Sequence, residues 1–154
     1  LMANYYTEAS FMVHFETKEK EARAAEILHS LENHEEEPCQ GPLKKLAKDM
    51  EMQDFGYVGF NFTKELFPEA KVFTWWVTHD ETIDVDRTAT FLSYLIDHDL
   101  LKPMGFQFSH TCSKARLDAF GGGCVFITRD ATYWSYTGSV LQDYMEEFGE
   151  DDES

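Results

Sequence analysis

Apolar positions along this chain switch repeatedly between a period of two and a period of three to four. Residues 5–15, "YYTEASFMVHF", mix aromatic and β-branched side chains and predict one strand. Ala24, Ile27, Leu28 and Leu31 then recur at helical spacing, which predicts an amphipathic helix over 18–33. Thr17 suits its N-cap, and Glu19 and Glu21 suit its first turn. "HEEEPCQGP" (34–42) interrupts the pattern with charge, two prolines and a glycine, which marks a loop. Leu43, Leu46, Ala47 and Met50 fit a short helix after it.

Period two returns in "GYVGFNFT" (56–63), where Val58, Phe60 and Phe62 share a face. "KELFPEA" reads as a turn, and "KVFTWWVTH" (71–79) as the hairpin partner of the preceding strand. Val85, Ala89, Leu92 and Ile96 predict a second long helix over 85–99, capped by Asp84 or Thr82 and stopped before Pro103. Three short strands are expected at 104–110, 123–129 and 131–137. A last helix over about 139–148, capped by Ser139, sets Val140, Leu141, Tyr144, Met145 and Phe148 on one side.

This order predicts an α+β fold with an antiparallel or mixed sheet and helices on one face. Its first part, βαββαβ, has the order of a ferredoxin-like core, here with extra strands and a helix at the C-terminal end. Residues 3–148 are expected to form one α+β domain, and 149–154 a flexible acidic tail. A length of 154 residues with 43% hydrophobic and 15% aromatic content supports one buried core. Three cysteines without a pairing pattern point to a reducing compartment. The N-terminus lacks the basic-then-apolar pattern of a secretion signal, and no run is long enough to span a membrane. The expectation is a soluble cytoplasmic protein.

Charge changes this picture most. Thirteen bases against 29 acids give −16 at pH 7. Such a surface repels nucleic acid and anionic membranes and attracts basic partners. The acids are unevenly placed. Residues 1–40 hold nine acids and three bases, and residues 131–154 hold seven acids and no base. Residues 101–130 are the only net-basic stretch, with two acids and four bases.

Glu35, Glu36 and Glu37 follow the end of the first helix; Asp143, Glu146, Glu147, Glu150 and Asp151 gather at the end of the last. A helix C-terminus carries negative dipole charge, so carboxylates there do not stabilise their own helices. These eight residues are therefore the candidate protein-binding set. They fit a non-catalytic interaction protein whose carboxylates imitate nucleic-acid phosphates and occupy the basic groove of a nucleic-acid-binding protein. Phage and plasmid inhibitors of host defence nucleases work in this way. The expected partner is basic, with no direct contact to nucleic acid or membrane.

The alternative is a small enzyme or anion-binding domain centred on "SHTCSKARLDAFGGGC" (109–124), with His110, Cys112, Arg116, Asp118 and Gly121–Gly123 as its site. Gly121, Gly122 and Gly123 match neither G-x-x-x-x-G-K-[ST] nor G-x-G-x-x-G, and they precede a strand instead of a helix. A tight turn or bulge explains them better. Arg116 has the fork geometry for a carboxylate or phosphate, and Asp118 is its nearest acid. Cys112 lies two residues from His110 but lacks a third, orienting group. Cys124, at the head of an apolar strand, reads as core.

Two further patterns fail on spacing. His34, Glu36, Pro38 and Cys39 imitate a zinc deaminase signature, but Pro42 stands where its last cysteine belongs. "HDETIDVD" (79–86) lacks the glycine and terminal glutamate of a calcium loop and reads as helix capping. No catalytic residue, metal or cofactor is expected. Adjacent Trp75 and Trp76 must point to opposite faces of their strand, and the pattern favours a sheet partly buried on both.

Overall fold

The computed structural model describes residues 4–67, 72–114 and 120–149. The fold is α+β, with four helices and two antiparallel sheets among the described residues. In chain order the elements are β1 (Tyr5–Glu8), β2 (Phe11–Phe15), α1 (Lys18–Glu32), α2 (Pro42–Asp49), β3 (Asn61–Phe67), β4 (Val72–Thr78), α3 (Val85–Asp97), β5 (Met104–Cys112), β6 (Gly121–Ile127), β7 (Thr132–Tyr136) and α4 (Thr137–Phe148). One sheet has the order β1-β5-β6-β7 and the other β2-β4-β3.

The single strand expected over 5–15 is therefore two. Glu8 pairs with Ser109 of β5, whereas Phe11 pairs with Val77 of β4. The chain changes sheet at Ala9 and Ser10, and β4 and the residue after it hold the crossing. Thr78 Oγ1 donates to the Ala9 carbonyl at 3.2 Å, His79 Nδ1 lies 3.0 Å from the same oxygen, and Trp76 Nε1 donates to Ser10 Oγ at 2.8 Å. Phe11 still stacks on Phe106 of β5, with ring centroids 4.4 Å apart. Apolar contact thus joins the two sheets where no ladder does.

Alternation fixes which face is buried. Val13, Phe15, Trp75, Val77, Phe106, Phe108, Val125 and Ile127 point to one core with Ile27, Leu28 and Leu31 of α1 and Phe91, Leu92, Leu95 and Ile96 of α3. The alternate residues Met12, Trp76, Phe126 and Tyr133 stay exposed. Trp75 is fully buried and Trp76 is 42% exposed, so the expectation of a sheet partly buried on both faces does not hold at this pair. Thr17 Oγ1 accepts from the Lys20 N–H at 3.1 Å, and Asp84 Oδ1 from the Arg87 N–H at 3.0 Å, as N-caps should.

The strand expected at 56–63 starts only at Asn61 and runs through the predicted turn to Phe67. Val58 and Phe60 are buried nonetheless, from a loop that crosses the start of α3. Gly59 permits that crossing. It has a φ of +95°, and a Cβ there would lie 2.9 Å from the Asp84 Cβ. α4 begins at Thr137, after Tyr136, and has no side-chain N-cap. Ser139 lies inside the helix and does not cap it.

Candidate functional site

The first acidic group sits on a turn built by backbone bonds. Asn33 ends α1, and its carbonyl accepts from the N–H groups of Glu36 (3.1 Å) and Glu37 (2.8 Å). His34 Nδ1 accepts from the Cys39 N–H at 3.0 Å, and Cys39 Sγ donates to the Ser30 carbonyl at 3.4 Å. The residues that imitate a zinc signature thus fasten the turn back onto α1. Burial pushes the Cys39 thiol above its ordinary pKa. Glu35, Glu36 and Glu37 are left exposed on the outside.

The second group stands on α4. Asp143, Glu146 and Glu147 are exposed, as is every other residue of this helix. The apolar side is bare: Val140 is 38% exposed, Leu141 58%, Tyr144 58%, Met145 59% and Phe148 71%. α4 touches β6 and β7 without burying a residue. Its polar bonds are internal, with Gln142 Nε2 donating to Glu146 Oε1 at 3.0 Å. Glu150 and Asp151 lie outside the described residues.

None of these six described carboxylates makes an ion pair among the described residues. The ion pairs that occur among the described residues lie elsewhere. Lys20 and Lys102 both reach Glu16 at 3.5 Å, Lys64 reaches Glu21 at 3.2 Å, and Arg129 reaches Asp99 at 3.2 Å.

The alternative site is only partly described, because Arg116 and Asp118 lie outside the described residues. His110 Nδ1 sits 3.0 Å from Thr7 Oγ1, across the β1–β5 ladder. Cys112 follows on the same strand, half-buried and opposite Tyr5. Gly121, Gly122 and Gly123 are the first three residues of β6 and pair with His110, Ser109 and Phe108 in that order, so they form no turn before the strand, although Gly122 has the positive φ (+143°) that favours glycine. At Gly122 and Gly123 the smallness is steric, whereas a Cβ on Gly121 would meet nothing within 4 Å. A Cβ on Gly122 would lie 2.3 Å from the Phe108 carbonyl oxygen, and one on Gly123 2.0 Å from that of Ser135. The space a cradle would need is filled by neighbouring backbone. Cys124 is exposed and not core, since the register puts it opposite Gln107 on the uncovered face. No group of three or more metal-ligating side chains occurs among the described residues.

Two buried charges escaped the sequence pattern. Glu21, in the first turn of α1, accepts from Trp75 Nε1 at 2.8 Å inside the core. Arg87 is 5% exposed. Its Nε donates to the Met50 carbonyl at 2.7 Å, its Nη2 donates to the Tyr57 carbonyl and to Met52 Sδ, and its Cζ lies 4.6 Å from the Phe55 ring centroid. Glu21 occupies a first-turn position where an acid is ordinary, so the pattern could not mark it as buried, whereas Arg87 is a cation in a first turn, where the dipole disfavours it, and that mismatch was the one available signal. A cleft of about 480 Å³ also opens between α2, α3 and β7, edged by Asp49, Asp86, Asp97, Lys45, Tyr94 and Trp134. No helix among the described residues is long and apolar enough to cross a membrane. Comparison with known protein families, curated proteins and solved structures finds no match for this chain.

Proposed function

We propose that this chain is a non-catalytic interaction protein whose exposed carboxylates occupy the basic groove of a nucleic-acid-binding protein, in the manner of phage and plasmid inhibitors of host defence nucleases. One observation carries the reading. Glu35, Glu36, Glu37, Asp143, Glu146 and Glu147 are exposed and lack ion-pair partners among the described residues, and all but Asp143, which lies in the middle of α4, stand at or beyond helix C-termini. At those ends the dipole opposes them, and like charges held together repel. A basic surface relieves both costs at once. Association is then fast and sensitive to salt.

The proposed scaffold is a ferredoxin-like core. If β1 and β2 are taken as one strand bent at Ala9–Ser10, the order β3-β4-β2/β1-β5 follows, with β6 and β7 added beyond β5. The stacking of Phe11 on Phe106 supports this, because it continues the register set by Glu8 and Ser109.

Displacement of duplex DNA from a panel of purified nucleic-acid-binding proteins tests the function. The unaltered chain is expected to displace DNA from at least one of them, with an affinity that falls about tenfold or more between low and moderate salt. Replacing all six carboxylates by their amides should abolish the effect. Equal displacement by the six-amide variant, or displacement from no member of the panel, refutes the proposal.

A further inference from the structure

We infer that α4 is a docking helix, which lays its apolar stripe into a groove of a partner protein that carries lysine or arginine along one rim. This deepens the function proposed above and rests on it for the sign of the partner's charge.

Helical geometry places Val140, Tyr144, Phe148, Leu141 and Met145 within an arc of about 140°. All five are exposed, and the Tyr144 and Phe148 rings lie 6.2 Å apart along the stripe. Asp143 and Glu147, four residues apart, run along one edge of that arc, whereas Glu146 falls on the far side beside Gln142. The helix thus presents a hydrophobic floor with carboxylates on one margin. That arrangement is the counterpart of helix-in-groove recognition, read through anchors at i, i+3, i+4 and i+7.

Charge selects the occupant. Residues 131–154 contain seven acids and no base. A second copy of this chain docked α4 against α4 would bring its own Asp143 and Glu147 with no cation from residues 131–154 to meet them. Close pairing of like charges is costly at an apolar interface. A groove with cations on the matching rim pairs both carboxylates while the stripe is buried.

The probes are three synthetic amphipathic helical peptides with one leucine stripe, flanked by lysine, glutamine or glutamate, measured by calorimetry against the full chain. The lysine peptide should bind best and the glutamate peptide not at all. Leu141→Ser, Met145→Ser and Phe148→Ser together should weaken binding at least about 50-fold. Asp143→Asn with Glu147→Gln should remove the preference for lysine over glutamine, about tenfold at low salt. Glu146→Gln, on the far side, should stay within about twofold.

Undiminished binding by the triple-serine variant overturns the inference. So does a cost for Glu146→Gln as large as for the edge pair, or a dimer in sedimentation velocity that the triple-serine variant dissolves. The DNA-displacement assay separates the two proposals. If the triple-serine variant displaces DNA as well as the unaltered chain, the docking helix fails and the acidic reading stands. If the unaltered chain displaces none while the lysine peptide still binds through the stripe, the reverse holds.

Discussion

α3 and α4 have the same kind of sequence and opposite fates. Each carries apolar residues at three- and four-residue spacing, and each follows a strand or a loop leading from one. α3 buries Ala89, Phe91, Leu92, Leu95 and Ile96, packs on α2 and β6, and is capped by Asp84. α4 buries nothing and has no side-chain cap. Periodicity shows that a helix has a face to cover, but not whether its own chain covers it. For α3 the cover is intramolecular. For α4 no cover exists among the described residues, and the docking proposal above supplies one from a partner.

The largest expected effect separates the two helices directly. Phe91 is fully buried against Phe60 and Trp75, so Phe91→Ala should cost about 3–5 kcal/mol in urea unfolding. Leu141→Ala, an equally apolar truncation, should change stability by no more than about 0.5 kcal/mol. A loss of several kcal/mol at Leu141 would mean that α4 is covered within the free chain, and the contrast would collapse.

A second substitution asks what fastens α3 and has no counterpart in α4. Arg87 ties the loop through Met50, Met52 and Tyr57 over the start of α3, with carbonyls and the Phe55 ring in place of a carboxylate. Arg87→Ala leaves two carbonyls without this donor and should cost about 2–4 kcal/mol. Arg87→Lys should recover less than half of that, because one ammonium cannot reproduce the guanidinium fork. Full recovery by lysine would show that charge alone, and not the shape of the donor, holds the loop.

Arg87 also marks where the sequence stops being legible. Elements dominated by one period were found nearly to the residue: α1 ends at Glu32 where 33 was expected, and α3 at Asp97 where 99 was. Strands were less secure. Val58 and Phe60 alternate like a strand and are buried like one, yet their loop owes its path to Gly59 and Arg87, distant in sequence from each other. The break at Ala9–Ser10 depends on partners in β4 and on His79, which a local pattern cannot contain. The triple glycine was visible, but the cause at Gly122 and Gly123 lies in β5 and β7 crowding the two sides of β6. Of the candidate site, the six described acids are exposed, as their charge predicts, and Glu150 and Asp151 lie outside the described residues. The bare stripe beside them was not legible, because the same residues would read identically in a packed helix.

The smallest expected effect bears on the carboxylates themselves. Glu147 lies in the last turn of α4, at the negative end of the dipole and four residues from Asp143. Glu147→Lys replaces a dipole repulsion by an attraction, and a like-charge pair by an acid placed N-terminal to a base. Both changes favour the helix, together by about 0.5–1 kcal/mol. The gain should appear as severalfold slower amide exchange over 143–148. The urea midpoint of the whole domain should not move, because α4 buries no residue whose exposure the global transition would report. In α3, by contrast, packing sets the exchange rates, and a charge placed in its last turn should leave them unchanged. If Glu147→Lys leaves exchange in α4 unaltered, the helix is held by something other than its own backbone. The carboxylates would then no longer be working against their helix, and the strongest reason for assigning them an external partner would be gone.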